Sequence, residues 1–431
     1  MDHISSVFSF LDAGVSPWHA AAESVRRLEE AGFLRLEESA PWALAPGGSY
    51  YVTRNGSAVL AFRLPVQPIR GWRLALSHSD APTWRVKNTC VEQAGYTKLE
   101  TEGYGGMLMG TWLDRPLTLA GRVVVRTAEG LASRLVYLDR DLLTIPSVAI
   151  HFDRGVNDGR KWDPQVDLQP LYGEAGCLAL LELIAQEAGV APADILTWDL
   201  CLAVRQKATR IGPDGAFFMS PRIDDLECAA TTLLGFLGSE PQPAVAGVWG
   251  MLDNEEVGSS SRQGAEGTFL SDTLHRILHC LGQDAQDAWQ IAANSLILSA
   301  DNGHAIHPNH PEKSDPQNAP RMNGGVVIKV NASQKYTTDA VSAALFEQIC
   351  REAQIPVQRF ANRADMPGGS TLGNLQGHSV SSPMLDIGLA QLAMHSAVET
   401  AGTKDIAHMT AAVRAFYQRP FTCCGDGLYS L

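Results

Sequence analysis

Apolar runs and amphipathic stretches alternate along much of this chain. HAAAESVRRLEEAGFLRLEE (19–38) places Val25, Leu28 and Leu36 at helical spacing and predicts an amphipathic helix. SAVLAFRLP (57–65) and GWRLALSHSD (71–80) follow as strands. From about 91 to 214 the texture changes: GYGGMLMGTW is rich in glycine, LAGRVVVRTA and SRLVYLDRDLLTI read as strands with exposed charges, and KWDPQVDLQPLYG reads as a loop. Beyond that stretch the alternation returns. DDLECAATTLLGFLG, SDTLHRILHCLG, DAVSAALFEQICREAQ and TKDIAHMTAAVRAFYQ predict helices, interleaved with the strands AVAGVWGML, SLILSAD, GGVVIKVN and PMLDIGLA. Strands alternating with helices predict an α/β sandwich around a mostly parallel sheet. Residues 1–90 and 215–431 would form it, interrupted by a β-rich insertion over 91–214. Sites in such sheets form where strands end in loops, so the polar residues at strand ends carry the functional question.

Composition narrows the class. A chain of 431 residues exceeds one small core. Lys plus Arg number 34 against 47 Asp plus Glu, a formal charge of −13, which argues against a nucleic-acid binder. No run approaches the ~18 apolar residues of a membrane helix. The opening MDHISSVFSFLDAGVSPWHA lacks the basic and apolar regions of a secretory signal. Eight cysteines occur without any CxxC, so reduced thiols and a cytoplasmic setting are expected. The Cys423–Cys424 pair could bind metal or react, but a structural role is the expectation.

Candidate chemistry collects at strand ends. The run AVAGVWG ends in MLDNEEVGSSS, where Glu255 and Glu256 stand side by side after Asp253. Carboxylates at the end of a core strand must be solvated, paired or bound to a cation, because uncompensated burial is costly. His78 and Asp80 in SHSD are two apart, which suits an imidazole ligand with a carboxylate to orient it, or equally a surface histidine beside a capping acid. Asp224 and Asp225 open a helix, where acids are favoured by capping and by the helix dipole. Asp301 ends another apolar strand, and His304, His307 and His310 after it fit a metal cluster or a polar loop about equally. His395 follows a further apolar run and alone reads as a core residue.

Together His78, Asp224, Glu255, Glu256, Asp301 and His395 all fall at ends of predicted strands or of the following helix. Mixed imidazole and carboxylate donors suit zinc, with manganese or cobalt as substitutes. Two zinc ions outweigh three carboxylates by one charge, and a water there should have a pKa of about 7. Two-metal hydrolysis also needs an unliganded carboxylate to pass on the proton. Neighbours on an extended segment point to opposite sides, so Glu256 can bind metal while Glu255 faces the water.

At this point the sequence resembles the aspartyl aminopeptidase and vacuolar aminopeptidase I family. The likeness runs nearly end to end, through FLDAGVSPWHAAAESVRRLEEAGF, SHSDAPTWRVKN, AIHFDRGVN, RIDDL, DNEEVGSSSRQGAEG, SADNGHAIHPN, VIKVNASQKY, GGSTLG and LDIGLAQLAMHS. The resemblance implies a zinc-peptidase-like α/β sandwich split by an inserted dimerisation domain, in homo-oligomers that are typically dodecamers built from dimers. It implies that His78 and Asp301 hold one metal, Glu256 and His395 the other, and that Asp224 bridges them. Glu255 would be the general base and acid, Asp80 would orient His78, and His151 would reach a neighbouring subunit's site to stabilise an oxyanion. Lys329 and Tyr336 would line the pocket for an acidic N-terminal side chain. Departures from the family pattern are Asp225 in place of Asn, Ala364 and Gly368 in RADMPGGSTLG, and Gly303 in place of Ala.

The expected protein is therefore a cytoplasmic aminopeptidase with two Zn²⁺ per subunit (Mn²⁺ or Co²⁺ as alternatives), acting on peptides with acidic N-termini. Its rivals are an aminopeptidase for neutral or hydrophobic N-termini and a non-catalytic metal-binding assembly protein of the same fold.

Overall fold

The structure, a computed structural model, describes residues 2–369 and 371–431. The apolar runs form the middle of a nine-stranded sheet. Its order is Leu34–Leu36, Ser49–Arg54, Ala58–Arg63, Val245–Leu252, Gly71–His78, Leu296–Ala300, Met384–Gly388, Val326–Val330 and Val357–Ala361. The four strands from Val245–Leu252 to Met384–Gly388 run parallel to one another. Gly71–His78, Leu296–Ala300 and Met384–Gly388 are buried at every position, the signature of strands covered on both faces. Alternation along Val245–Leu252 sends Trp249 and Met251 into one layer and Val248 and Leu252 into the other. The first layer packs Leu226, Ala229 and Leu233 of the helix Ile223–Leu237 with Met409, Val413 and Phe416 of Thr403–Gln418. The second takes Phe269 and Ile277 of Phe269–Cys280. No helix among the described residues is long and apolar enough to cross a membrane.

A second, six-stranded antiparallel sheet has the order Gly130–Tyr137, Leu117–Thr127, Ile195–Val204, Thr83–Gln93, Tyr96–Tyr104 and Leu171–Glu174. It has its own core, with Trp84, Leu119, Val123, Val136 and Leu202 packed on Leu183 and Ile184 of the helix Leu180–Ala188. Its strands begin at Thr83 and end at Val204, inside the expected limits of 91 and 214 at one end and outside them at the other. The hairpin of Thr209–Ile211 and Phe217–Ser220 instead joins a small third sheet with Glu399–Gly402, Ala390–Leu392 and Gly303–His304. The change in composition follows the glycine run, whereas strand pairing follows the backbone, and the two do not coincide.

Local chemistry explains two further differences. The expected helix over 19–38 ends at Glu30, because Gly32 takes φ of +83° and turns the chain into Leu34–Leu36. His3–Ala13 is a helix that sequence reading passed over, capped by the Asp2 carboxylate accepting from Ser5 N at 2.7 Å.

Candidate active site

Parallel strands bring their C-terminal ends to one edge, and the acids and imidazoles singled out in the sequence meet there. His78 is the last residue of Gly71–His78, Glu255 and Glu256 follow Val245–Leu252, and Asp301 follows Leu296–Ala300. The small third sheet supplies the rest: Asp224 lies just beyond Phe217–Ser220, and His395 stands in the turn between Ala390–Leu392 and Glu399–Gly402.

Among the described residues, two donor groups could hold a metal ion: His78, Asp224, Asp225 and Asp301, and Asp224, Glu256 and His395. Asp224 belongs to both. Its Oδ1 lies 3.4 Å from His78 Nε2, and its Oδ2 lies 3.4 Å from His395 Nε2. Glu256 Oε2 is also 3.4 Å from His395 Nε2, and Asp301 Oδ1 is 4.0 Å from His78 Nε2. Tetrahedral zinc with bonds of about 2.0–2.1 Å separates its ligand atoms by about 3.3–3.4 Å, so these spacings suit donors around an ion. Asp224 Oδ1 and Glu256 Oε1 are buried without a hydrogen-bond partner, a costly state that a cation would relieve. The residues present fit the metal.

The electrostatics agree. Burial pushes up the carboxyls of Asp225 and Glu256, that of Asp301 to about 6 and that of Glu255 to about 8. At Asp224 burial acts in the same direction, but the imidazoles of His395 and His78 outweigh it and hold the acid below its usual range. Burial opposes protonation of His78, while Asp224 and Asp80 raise it. Acid is crowded here in excess of the local positive charge.

Glu255 belongs to neither donor group. The two glutamates separate for a reason other than the expected one: Glu255–Val257 is a single 3-10 turn, not an extended segment. Asp80 lies beyond the end of its strand, with Oδ1 3.4 Å from His78 Nδ1. The same carboxylate accepts from Glu255 N and Glu256 N, each at 3.1 Å, and from the Tyr104 hydroxyl at 2.7 Å. Asp225, the acid in place of the expected Asn, accepts from His78 N at 3.0 Å and Asn302 N at 3.3 Å. Its oxygens therefore have backbone partners on two site segments.

Lys329 is 2% exposed, so it does not point to solvent. Its Nζ lies 3.4 Å from Asp301 Oδ2, donates to Asn302 O at 2.8 Å, and sits 5.5 Å from the ring centre of buried Tyr336. Gly388 makes that approach possible, since a Cβ there would stand 1.9 Å from Asp301 O and 3.1 Å from Lys329 Cε. A Cβ on Gly303 would meet only Lys329 Cε at 3.6 Å, so the alanine of the family pattern would fit. Ala364 and Gly368 line a cavity of about 730 Å³ with Lys335 and Arg363. His304 packs edge-on against Phe360, and the rings of His307 and His310 lie tilted to one another at 5.3 Å, but none of the three is in a donor group. Cys423 and Cys424 are free thiols in a terminal hairpin. His151 lies on an exposed turn, outside both donor groups. Sequence reading missed Tyr104, Asn302 and Glu399. The first comes from the second sheet, with no local signal, whereas Glu399 follows His395 by four residues, a spacing that was there to be read.

A sheet covered on both faces by helices, with paired imidazole and carboxylate groups at its strand ends, presents the donor set of a metal-dependent enzyme. The model of the family described as aminopeptidase I zinc metalloprotease (M18) matches residues 10–417. The chain belongs to that family and is an M18 aminopeptidase, a hydrolase. It is 38% identical over 428 residues to a probable M18 family aminopeptidase 2 of Clostridium acetobutylicum, covering 97% of this chain and 99% of that one. Among solved structures it resembles a chain of the Ape4 and Nbr1 complex, with TM-score 0.94, 33% identity, and coverage of 96% of this chain and 85% of that one. It also resembles the S. cerevisiae mApe1 dodecamer, with TM-score 0.84, 27% identity, and 96% of each chain covered.

Proposed function

We propose that this aminopeptidase works with two zinc ions per subunit and removes acidic residues from the N-termini of peptides. The observation that carries the reading is the pair of donor groups sharing Asp224, with one imidazole facing each of its oxygens. His78 and Asp301 would hold one ion, Glu256 and His395 the other, and Asp224 both; Mn²⁺ or Co²⁺ could replace zinc. Bound there, the ions supply Lewis acidity to the scissile carbonyl and the attacking water.

The chain's own groups do the rest. Glu255 accepts the water's proton on its carboxylate and donates it to the leaving amine. Asp80 keeps the His78 ring oriented at Nδ1, which lies 3.0 Å from the Asp80 carbonyl oxygen and 3.4 Å from its carboxylate. His151 of a neighbouring subunit stabilises the oxyanion, which makes the working form a homo-oligomer. We extend to this chain the dodecamer named for the S. cerevisiae relative, built from dimers through the second sheet as an inserted domain over about 83–204. Eight free thiols support a reducing, cytoplasmic setting.

Lys329 with Tyr336 would select the acidic side chain. One observation favours a second reading: the Lys329 ammonium is already paired with Asp301 and an Asn302 carbonyl, which leaves it less charge to offer a substrate acid and suits neutral N-termini. Zinc analysis per subunit with a panel of aminoacyl substrates decides. Two ions and a preference for Asp and Glu are expected. A preference for Leu with two ions overturns the specificity, and bound metal without hydrolysis of any peptide overturns the catalysis.

A further inference from the structure

One buried carboxylate ties together two backbone segments of the second donor group. His395 holds φ of +65°, a left-handed conformation that a residue with a side chain adopts only when its surroundings enforce it. Asp224 stands four residues past Ser220, which pairs across the small sheet with Glu399. The Glu399 side chain is buried between them. Its Oε1 accepts from His395 N at 2.7 Å and from Gln391 Nε2 at 3.3 Å, and its Oε2 accepts from Asp224 N at 3.1 Å. Each oxygen therefore fixes the backbone of a different residue, and the side chains of those two residues meet at 3.4 Å. Asp80 does the same for Glu255 and Glu256, and Asp225 for His78 and Asn302.

We propose that Glu399 is a positioning residue that sets the separation of the Asp224 and His395 side chains and thereby the affinity of the Asp224, Glu256 and His395 group for its ion. The proposal rests on the reading of that group as a metal site. The number of acceptor atoms decides the outcome, because a carboxyl group offers two oxygens and here each takes a different backbone N–H. An amide accepts at one atom only, so glutamine at this position must leave either the His395 or the Asp224 N–H unpartnered in a buried place. Releasing the left-handed turn moves His395; releasing Asp224 shifts the acid shared by both groups. Outer partners of metal ligands typically govern affinity by about 10–100-fold.

The test is zinc affinity, measured on the full-length assembly by competition with a chromophoric chelator. In Glu399→Gln the ion of the Asp224, Glu256 and His395 group is expected to bind about 10–100-fold more weakly, and the other, which shares only Asp224 with that group, to weaken less. Circular dichroism and sedimentation should be unchanged. The zinc concentration for half-maximal activity should rise in step, with kcat recovering at saturating zinc, which a merely structural change would not allow. Parent affinity for both ions in the variant overturns the proposal. Gln391→Leu removes only the neutral bond to Oε1 and keeps the test open if Glu399→Gln does not fold. It should weaken the same ion severalfold, and no shift there overturns the proposal equally. A parent that holds fewer than two ions would instead defeat the two-ion reading, and the parent titration separates the two failures.

Discussion

The edge of the main sheet and the exposed turn around His151 treat their polar and apolar groups in opposite ways. At the sheet edge, carboxylates and imidazoles from distant segments are buried, and three acids, Asp80, Asp225 and Glu399, each hold two backbone amides of the site. Those bonds let a single chain carry so much charge out of water, because a buried acid is tolerable only when its oxygens have partners. Around His151 the chain is unfinished. Val148, Ile150 and Phe152 are exposed, Phe152 to 88%, and His151 itself is open to solvent. Apolar side chains clustered on a surface turn mark a face meant for another molecule. The first region gathers donors that suit a metal ion; the second leaves apolar side chains in solvent.

The sharpest way to break the contrast is to disable the first region without disturbing its donors. Glu255→Gln removes the carboxylate that the proposed reaction uses as its proton carrier and that belongs to neither donor group. Activity should fall by about 10²–10⁴-fold while zinc content stays at the parent value. Stripping the metal with a chelator should abolish activity altogether, and restoring zinc should return it. A Glu255→Gln enzyme that keeps parent turnover with metal bound would show that the proton passes elsewhere.

The second region comes next. His151→Ala should lower kcat by about 10²-fold with little change in zinc affinity, since the side chain is outside both donor groups. Its defect should be curable from a neighbour. Co-assembling equal amounts of His151→Ala and Glu255→Gln subunits gives sites that receive Glu255 from one chain and His151 from another. When the two kinds of chain are assembled together at random, with half the chains intact for each, roughly a quarter of sites are complete. A mixture no more active than its parts would place the role of His151, if any, within its own chain.

How much of this the sequence disclosed depends on the reach of each interaction. Buried strands announced themselves as apolar runs, and the acids and imidazoles at their ends were legible because a charge at the end of such a run needs a partner. His78, Asp224, Glu256, Asp301 and His395 accordingly meet as expected. The separation of Glu255 from Glu256 was anticipated with the wrong backbone, because a 3-10 turn follows from the Asp80 carboxylate, 175 residues away in sequence, accepting from Glu255 N. The second sheet starts at Thr83, before the expected domain limit of 91, and Thr83–Gln93 continues without a break in texture from the segment after His78. The pairing of Lys329 with Asp301 depends on Gly388, a glycine that looks unremarkable within an apolar run.

Substrate choice tests a finer point of the first region. Lys329→Met keeps the volume of the stem and removes the ammonium. If the charge serves the substrate, the preference for Asp over Leu should fall by about tenfold, one unscreened pairing. If it serves only Asp301, the ratio should hold while zinc affinity changes. Substrate ratios and metal titration on the same preparation distinguish the two.

The smallest effect concerns the joint between the helix Pro17–Glu30 and the second sheet. His19 lies in the helix Pro17–Glu30, packs edge-on toward Tyr137 of the second sheet at 6.1 Å, and has Nδ1 2.7 Å from Ser16 Oγ. Burial, aided by Arg222, lowers its pKa to about 4. An unfolded histidine takes up its proton near pH 6.5, so between about 6.5 and 4 the unfolded chain binds a proton that the folded one refuses. Stability from this group is therefore complete above pH 6.5 and falls as the pH drops toward 4. The metal groups titrate too, so the readout is a difference. The Tm of the parent should fall more between pH 7.5 and 5 than that of His19→Asn, which carries no titrating ring, by a few degrees at most in a chain of this size. Equal slopes would mean that acid loosens the sheet edge alone and leaves the joint with the second sheet untouched.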